Sequence, residues 1–227
     1  WEVRPGAHYM MGGIRVNHEG ASVGGDDEGS VKYGISGLFA AGQAMGGLFG
    51  ANRLGSTSLT ELAVFGSRAG VAAAKNSLNN SFKVNKKLFE SYINEYSSLF
   101  GQKGSIASNI LRDDIQKESW KKIGPVRTAK GIKEMEDRIK EIEAMLNNIS
   151  IPNYFIWNQA FMDFVELKNM ICSAKLIGLA AKERNGSIGG HVRLDAKNIS
   201  IFSRPYSTVV HKNNNTYLVK KLNRTRT

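Results

Sequence analysis

The stretch GANRLGSTSLTELAVFG, residues 50–66, places one arginine in a glycine- and hydroxyl-rich loop directly before a helical pattern. Arg53 precedes the expected helix start at Ser58. The first turn of a helix has backbone amides without internal partners and carries the positive end of the helix dipole. A guanidinium can donate two parallel hydrogen bonds to a carboxylate. The stretch therefore predicts a site for an anionic or electron-rich group, without naming a reaction.

His8, between RPGA and YMMGG, is the second candidate for chemistry. The sequence has four histidines and one cysteine, and no pair of them has the spacing of metal ligands, so no metal site is predicted. Two alternatives stay open on the residues alone. A histidine beside a glycine pair can bond a neighbouring carbonyl, and a loop arginine can pair with a carboxylate of its own chain.

The elements around these residues are predicted from glycine placement and periodicity. HYMMGGIRVNHEGASVGG indicates two short strands about a Gly-Gly bend. A short apolar strand is expected over residues 37–41, ended by Gly42, and a helix from Leu59 to about Asn76. Ser58 and Glu61 form the S-x-x-E pattern of a capping box. This order of elements is typical of half of a nucleotide-binding α/β unit.

Beyond residue 80 the apolar residues follow helical spacing, in KKLFESYINEYSSLF, in residues 106–121, in GIKEMEDRIKEIEAMLNNI and in residues 157–182. These patterns predict a small helical bundle whose aromatic and methionine stripes form its core. Cys172 is expected to be a small buried hydrophobe within it. STVVHKNNNTYLVKKL predicts a β-hairpin about an Asn-rich turn. The fold class is therefore α+β.

Composition narrows the functional class. Hydrophobic residues make up 41% and charged residues 22% of the 227 residues, values typical of a globular protein, and no run is long enough to span a membrane. The net charge of +11 is distributed over helices that also carry acids, and only VKKLNRTRT is densely basic, so it is expected to be a solvated terminus. We therefore predict no nucleic-acid partner. The single cysteine favours a reducing compartment and a cytoplasmic location.

Three segments, PGAHYMMGGI, GLFAAGQ and GANRLGSTSLTELAVFG, resemble in order and spacing the closing part of the flavoprotein subunit of succinate dehydrogenase and fumarate reductase. L-aspartate oxidase and the thiol-driven fumarate reductase are members of the same family. WKKIGPVRT is similar to the family segment that begins its carboxy-terminal helical domain, and AAKERNGSIGGHVRLD is similar to the ending of that domain. The resemblance covers residues 4–195.

The resemblance implies a C-terminal piece of an FAD-binding α/β domain over residues 1–80, a helical bundle over 81–195 and an extension with the hairpin over 196–227. It implies an FAD enzyme that moves a hydride between the flavin and the C–C bond of a dicarboxylate, interconverting succinate and fumarate. Electrons would pass to an iron–sulfur protein subunit. Membrane contact would then be indirect, through a complex peripheral on the cytoplasmic face.

Five positions take roles from the resemblance. His8 matches the family histidine that binds a substrate carboxylate. Arg53 matches the arginine that clamps the substrate and polarises it for hydride transfer. Ser58 and Leu59 match the helix-start positions whose backbone meets the flavin. Gln43 stands where the family usually has a glutamate that contacts the cofactor, so hydrogen bonds can be kept there but the charge is lost.

Other features depart from the family or leave alternatives open. Ile188 replaces an arginine of the family ending, whereas His191, Arg193 and Asp195 are kept and are interpreted as structural or subunit-facing. The family's glycine-rich dinucleotide fingerprint and its capping domain with the proton-donating arginine are not in this sequence. We therefore expect chain upstream of Trp1 and no catalysis by this piece alone. An L-aspartate oxidase-type flavoenzyme and a non-catalytic partner-docking module are the alternatives.

Overall fold

The computed structural model describes residues 8–24, 34–80, 83–196, 205–214 and 216–223. The helices are α1 (Ser58–Asn79), α2 (Lys86–Ser97), α3 (Ser108–Ile123), α4 (Ala129–Met145) and α5 (Gln159–Glu183). The strands are β1 (Ile14–Arg15), β2 (Met45–Gly46), β3 (Val126–Arg127), β4 (Val192–Arg193), β5 (Tyr206–Asn213) and β6 (Thr216–Asn223). Short 3₁₀ turns cover Gly42–Ala44 and Leu146–Asn148. Helices with small sheets confirm the α+β class.

The chain divides into two compact units, residues 1–82 with 204–207 and 221–227, and residues 83–203 with 208–220. The predicted domain limits remain predictions. In the first unit β1 and β2 pair in parallel, with Ile14 opposite Met45. The prediction of a strand over residues 37–41 is wrong, because Phe39 forms only an isolated bridge with Ala21 and the preceding backbone is a turn. The last four residues of the basic tail lie outside the described residues.

In the second unit α3, α4 and α5 pack around an aliphatic core, which confirms the predicted bundle. Its members share near-complete burial and come from all three helices and from the segment after α4: Leu111, Ile115, Ile123, Ile132, Met135, Ile139, Ile142, Ile149, Ile151, Phe164, Leu167, Ile171, Ala174 and Ala181. Beside the core, β3 and β4 pair in parallel. Burial of apolar surface is the main term that stabilises such a unit.

Buried polar residues fix the beginning of α5. The Asn158 side chain accepts a hydrogen bond from the Phe161 amide (3.0 Å) and donates to the carbonyls of Pro152 (2.9 Å) and Tyr154 (2.8 Å). Its amide group thus caps the helix and holds the preceding loop at once. One turn later, the buried Asp163 accepts from Arg112 of α3 at 2.9 Å. These bonds satisfy polar groups whose burial would otherwise be costly.

The apolar stripe that begins in α2 is predicted to be core, and only its last part contacts the core: Leu99 packs against it, and Tyr96 lies edge-on against Phe161. Leu88, Phe89, Tyr92 and Ile93 are all exposed, since the second unit's core is closed by the other three helices. Periodicity therefore identifies an apolar face of α2 but not which part of that face is covered.

The prediction for Cys172 is also wrong, because its side chain is exposed. On α5 the buried positions around it are Leu167, Ile171 and Ala174. A helix turns by about 100° per residue, which places position 172 off the face that these three residues share.

The side chain of Arg193 closes the C-terminal end of α5. It is 7% exposed, and its Nη1 donates to the carbonyls of Ala181 (3.3 Å) and Arg184 (3.2 Å). Its Nε and Nη2 donate to the two carboxylate oxygens of Asp195, at 2.9 and 3.3 Å. Hydrogen bonds from Arg193 and then from the Ala129 amide hold the pKa of Asp195 at about 2. A cation at this helix end also complements the dipole.

His191 completes this cluster as a neutral side chain. Its Nδ1 lies 2.5 Å from Nη1 of Arg127, which can only donate, and its Nε2 lies 3.1 Å from the carbonyl of Arg184. The ring therefore accepts at Nδ1 and donates at Nε2. Burial, followed by the charge of Arg127, lowers the pKa of His191 to about 4. The cluster ties the β3 and β4 segments to the end of α5.

None of the helices in the described ranges combines the length and the apolar character needed to cross a bilayer.

We predict that truncation of Ile142, which is 0% exposed, destabilises the protein far more than truncation of the 60% exposed Ile110. Ile142→Ala removes buried methyl groups and leaves a cavity, so the free energy of unfolding should fall by about 2–5 kcal/mol. Ile110→Ala is the matched control, with an expected change within about 0.5 kcal/mol. Urea denaturation followed by circular dichroism measures both. Equal losses would contradict the assigned core.

A second prediction concerns pH. The pKa of His191 is lowered from 6.5 to about 4 on folding, so between these values the unfolded chain binds a proton that the folded chain does not. Stability must therefore fall as pH decreases through this window and level off below it. His191→Asn should flatten the stability curve between about pH 5 and 6.5, where the carboxylates remain ionised. Parallel curves for the variant and the parent protein would show that His191 is not the group responsible.

Candidate functional site

Arg53 lies in the loop that leads into α1, and its side chain is half-buried. Its Nη1 donates to the Leu54 carbonyl (3.3 Å) and to Oγ of Ser58 (3.5 Å). The loop turns at Ser56, whose φ of 66° lies in the left-handed region. The side chain of Thr57 bonds back to the Leu54 carbonyl at 2.8 Å. Local hydrogen bonds thus hold the guanidinium at the N-terminus of α1.

The predicted capping box is wrong. The N-cap of α1 is Thr57, whose side chain makes no capping bond, and Ser58 is already the first helical residue. Glu61 does not fold back on the helix start, because its carboxylate has partners elsewhere. The first amides of α1 are therefore left without a side-chain cap from the N-cap residue. Such a helix start favours a negative or electron-rich neighbour.

Glu61 is the polar centre of the first unit. It is 4% exposed, although a carboxylate is rarely buried without partners. Its Oε1 accepts from the Gly42 amide at 2.8 Å, and its Oε2 accepts from the Tyr9 hydroxyl at 2.9 Å. Burial and then the bond to Glu61 raise the pKa of Tyr9, which keeps the hydroxyl a donor. Three distant stretches of the sequence meet at this carboxylate.

Tyr9 brings the His8 and Arg53 segments together. The guanidinium carbon of Arg53 lies over the Tyr9 ring, 4.8 Å from its centroid. Phe49 packs edge-on against the same ring, with centroids 5.6 Å apart. Within the part of the chain that the structure describes, Arg53 forms no ion pair. Its charge is therefore held by a ring face and neutral oxygens rather than by a carboxylate.

The remaining predicted site residues present exposed side chains. His8 precedes Tyr9 directly and is exposed. Gln43 is exposed in the 3₁₀ turn that begins at Gly42. Gly42 has φ +65°, and a Cβ there would meet Cδ2 of Leu62 at 2.5 Å, so this turn requires glycine. Leu59, at the start of α1, is 75% exposed.

Tyr9 and Glu61 are not among the site residues that the sequence predicts. Tyr9 is adjacent to His8, and Glu61 belongs to the S-x-x-E pattern. The sequence signal for Glu61 is an acid in an otherwise apolar helical run. The capping-box interpretation already accounts for that acid, so it does not mark Glu61 as a site residue. No pattern in the sequence indicated that residues 9, 42 and 61 meet.

The residues of the first unit fit a flavin. An aromatic, electron-rich ring system suits an uncapped helix start, and negative charge on a reduced flavin is favoured there. The exposed side chain of Leu59 supplies apolar surface at the same point, and the exposed amide of Gln43 supplies hydrogen-bonding groups. Among the described residues no cluster of three potential ligands could hold a metal ion.

Comparison with known proteins assigns these features to a family. Residues 1–59 match the family model described as an FAD binding domain, and residues 112–224 match the one described as fumarate reductase flavoprotein C-term. The first match confirms FAD as the cofactor of this region.

Relatives agree with both matches. One subunit of the fumarate reductase (CoM/CoB) of Methanothermobacter marburgensis is 32% identical over 194 residues, 86% of this chain and 33% of that protein. The succinate dehydrogenase flavoprotein subunit of Rickettsia bellii is 31% identical over 199 residues, 85% of this chain and 33% of that protein. The chain thus spans about a third of the length of these relatives.

A solved structure of a mutant E. coli quinol fumarate reductase superimposes with a TM-score of 0.85 at 26% identity, over 97% of this chain and 37% of that one. The same order of segments is therefore matched in sequence and in space. With its FAD-binding segment followed by the flavoprotein C-terminal region, this chain belongs to the succinate dehydrogenase and fumarate reductase flavoprotein family.

Proposed function

We propose that this chain forms one wall of the active site of an FAD-dependent oxidoreductase that interconverts succinate and fumarate. The observation that carries the proposal is the position of Arg53, over the Tyr9 ring and at the uncapped start of α1, without a carboxylate partner among the described residues. A cation placed in this way is available to an anionic substrate. A flavin bound beside it would supply the acceptor or donor of the hydride.

Arg53 would bind one substrate carboxylate. Its planar guanidinium can donate two parallel hydrogen bonds, which fix the orientation of the carboxylate as well as its position. The fixed positive charge would also draw electron density along the substrate and polarise its C–C bond. Because a ring and neutral oxygens hold Arg53, no carboxylate among the described residues competes with the substrate for it.

His8 would bind the second carboxylate. It is exposed, and it is adjacent in sequence to Tyr9, whose ring contacts Arg53. A dicarboxylate of four carbons needs a group for each end, and two donors on neighbouring segments meet this requirement. Ser58 and Leu59 at the helix start, together with Gln43, would contact the cofactor.

The chain is proposed to act as part of a longer flavoprotein. The proton donor and the rest of the dinucleotide site would come from the remaining sequence, so this piece alone is expected to be inactive. An iron–sulfur protein subunit is the proposed electron partner, in a complex peripheral on the cytoplasmic face of a membrane. The single cysteine is consistent with a reducing compartment.

The reaction is tested in the full-length flavoprotein by the oxidised flavin absorption band. Succinate should bleach the band because it donates a hydride, whereas L-aspartate should leave it unchanged. Bleaching by L-aspartate instead would assign the protein to the amino-acid oxidases. If dithionite bleaches the band and neither acid does, the dicarboxylate proposal is wrong.

For Arg53→Lys we expect kcat/KM for succinate to fall by about 10²-fold or more. Lysine retains the charge but loses the planar two-point contact. The measurement is steady-state succinate oxidation with an artificial electron acceptor, at equal flavin content. Arg68→Lys, at an exposed position further along α1, is the control and should match the parent enzyme. Unchanged turnover in Arg53→Lys would remove Arg53 from the active site.

For His8→Ala we expect weaker dicarboxylate binding with full flavin content. Loss of a hydrogen bond to a charged group corresponds to about a tenfold or greater rise in KM. The flavin-to-protein ratio, read from the absorption spectrum, distinguishes a substrate-binding role of His8 from a structural role. Loss of FAD with normal KM in the remaining holoenzyme would make His8 a structural residue.

A further inference from the structure

The tyrosine beside His8 has no role in the function described above, yet it makes three distinct contacts. Its hydroxyl donates to the buried carboxylate of Glu61 at 2.9 Å, and its ring packs edge-on against Phe49. The third contact is with Arg53, whose guanidinium carbon lies 4.8 Å from the ring centroid. A side chain fixed at its tip and at its edge can hold a third group in a defined place.

We propose that Tyr9 is a positioning residue for Arg53. Its hydroxyl is anchored by Glu61, and the face of its ring supports the guanidinium. The proposal rests on the proposed function of Arg53 as the residue that binds a substrate carboxylate. Tyr9 itself acts through Arg53.

Support by an aromatic ring leaves the arginine better able to bind a ligand than an ion pair would. A carboxylate partner would occupy the N–H donors of Arg53 and neutralise the charge that a substrate needs. A ring attracts the cation through its face while the N–H groups, which lie in the guanidinium plane, remain available to a carboxylate. Only Nη1 of Arg53 has protein acceptors among the described residues, the Leu54 carbonyl and Ser58 Oγ.

The anchor also keeps the carboxylate of Glu61 from pairing with Arg53. Glu61 is buried, and both of its oxygens are occupied, one by the Gly42 amide and one by the Tyr9 hydroxyl. The raised pKa of Tyr9 keeps that hydroxyl protonated at neutral pH, so the bond persists. The carboxylate thus fixes the ring and is itself withheld from Arg53.

The test uses the full-length holoenzyme with malonate, an unreactive dicarboxylate, as the probe. Its Kd is read from the perturbation of the flavin spectrum. Tyr9→Leu should raise this Kd about three- to tenfold, because it removes the cation–π contact and the anchor together. Tyr9→Phe, which keeps the ring and removes the hydroxyl, should give a smaller rise. Tyr92→Leu, at a 53% exposed tyrosine of α2, is the matched control and should equal the parent protein.

A double-mutant measurement distinguishes the positioning of Arg53 by Tyr9 from a general structural effect of the Tyr9 substitution. In an Arg53→Lys background, Tyr9→Leu should change the malonate Kd by less than about twofold, since residues that act through one another are not additive. A full three- to tenfold effect in that background would overturn the proposal, as would a Tyr9→Leu protein with the parent's Kd. If malonate does not perturb the parent flavin at all, the proposed function fails instead.

Discussion

The buried carboxylate of Glu61 is the constraint on which the first unit depends. A carboxylate with 4% exposure must receive hydrogen bonds or lose the free energy of its hydration. It receives them from Tyr9 and from Gly42. The three residues lie far apart in the sequence, so satisfying one acid fixes the positions of the segment before β1, the 3₁₀ turn and the first turns of α1. Arg53 is then placed by the Tyr9 ring, and Gln43 by the turn at Gly42.

The same constraint determines the charge of the site. Glu61 lies in the first turn of α1, but its carboxylate bonds to Tyr9 and Gly42, so it makes no ion pair with Arg53. The uncapped helix start and the guanidinium therefore lie together, and among the described residues no carboxylate is paired with the guanidinium. Partial charges at a helix end act over about one turn, so their effect is confined to this site. The site is consequently suited to an anionic group beside an electron-rich ring.

The sequence was sufficient for features that local periodicity controls. The helices of the bundle and the terminal hairpin were predicted because apolar spacing and turn residues report directly on secondary structure. Periodicity also assigns the exposed residues of α2 to the core, because it shows that a face is apolar but not what covers it. The S-x-x-E pattern predicts a cap for a related reason, since the competing partners of Glu61 are distant in the sequence. Tyr9 was missed because its importance arises only from its contacts.

A count of donors distinguishes the two kinds of arginine in this chain. The guanidinium of Arg193 is buried and makes four hydrogen bonds, two to the carboxylate of Asp195 and two to the carbonyls at the end of α5. Four of its five N–H donors are therefore occupied, and its charge is neutralised. Arg53 is held instead by a ring face and by bonds from Nη1 alone. A guanidinium carries about five N–H donors, so most of those on Arg53 remain available. Both arginines lie in segments that resemble the family, but only Arg53 keeps most of its donors free of hydrogen bonds to the described residues.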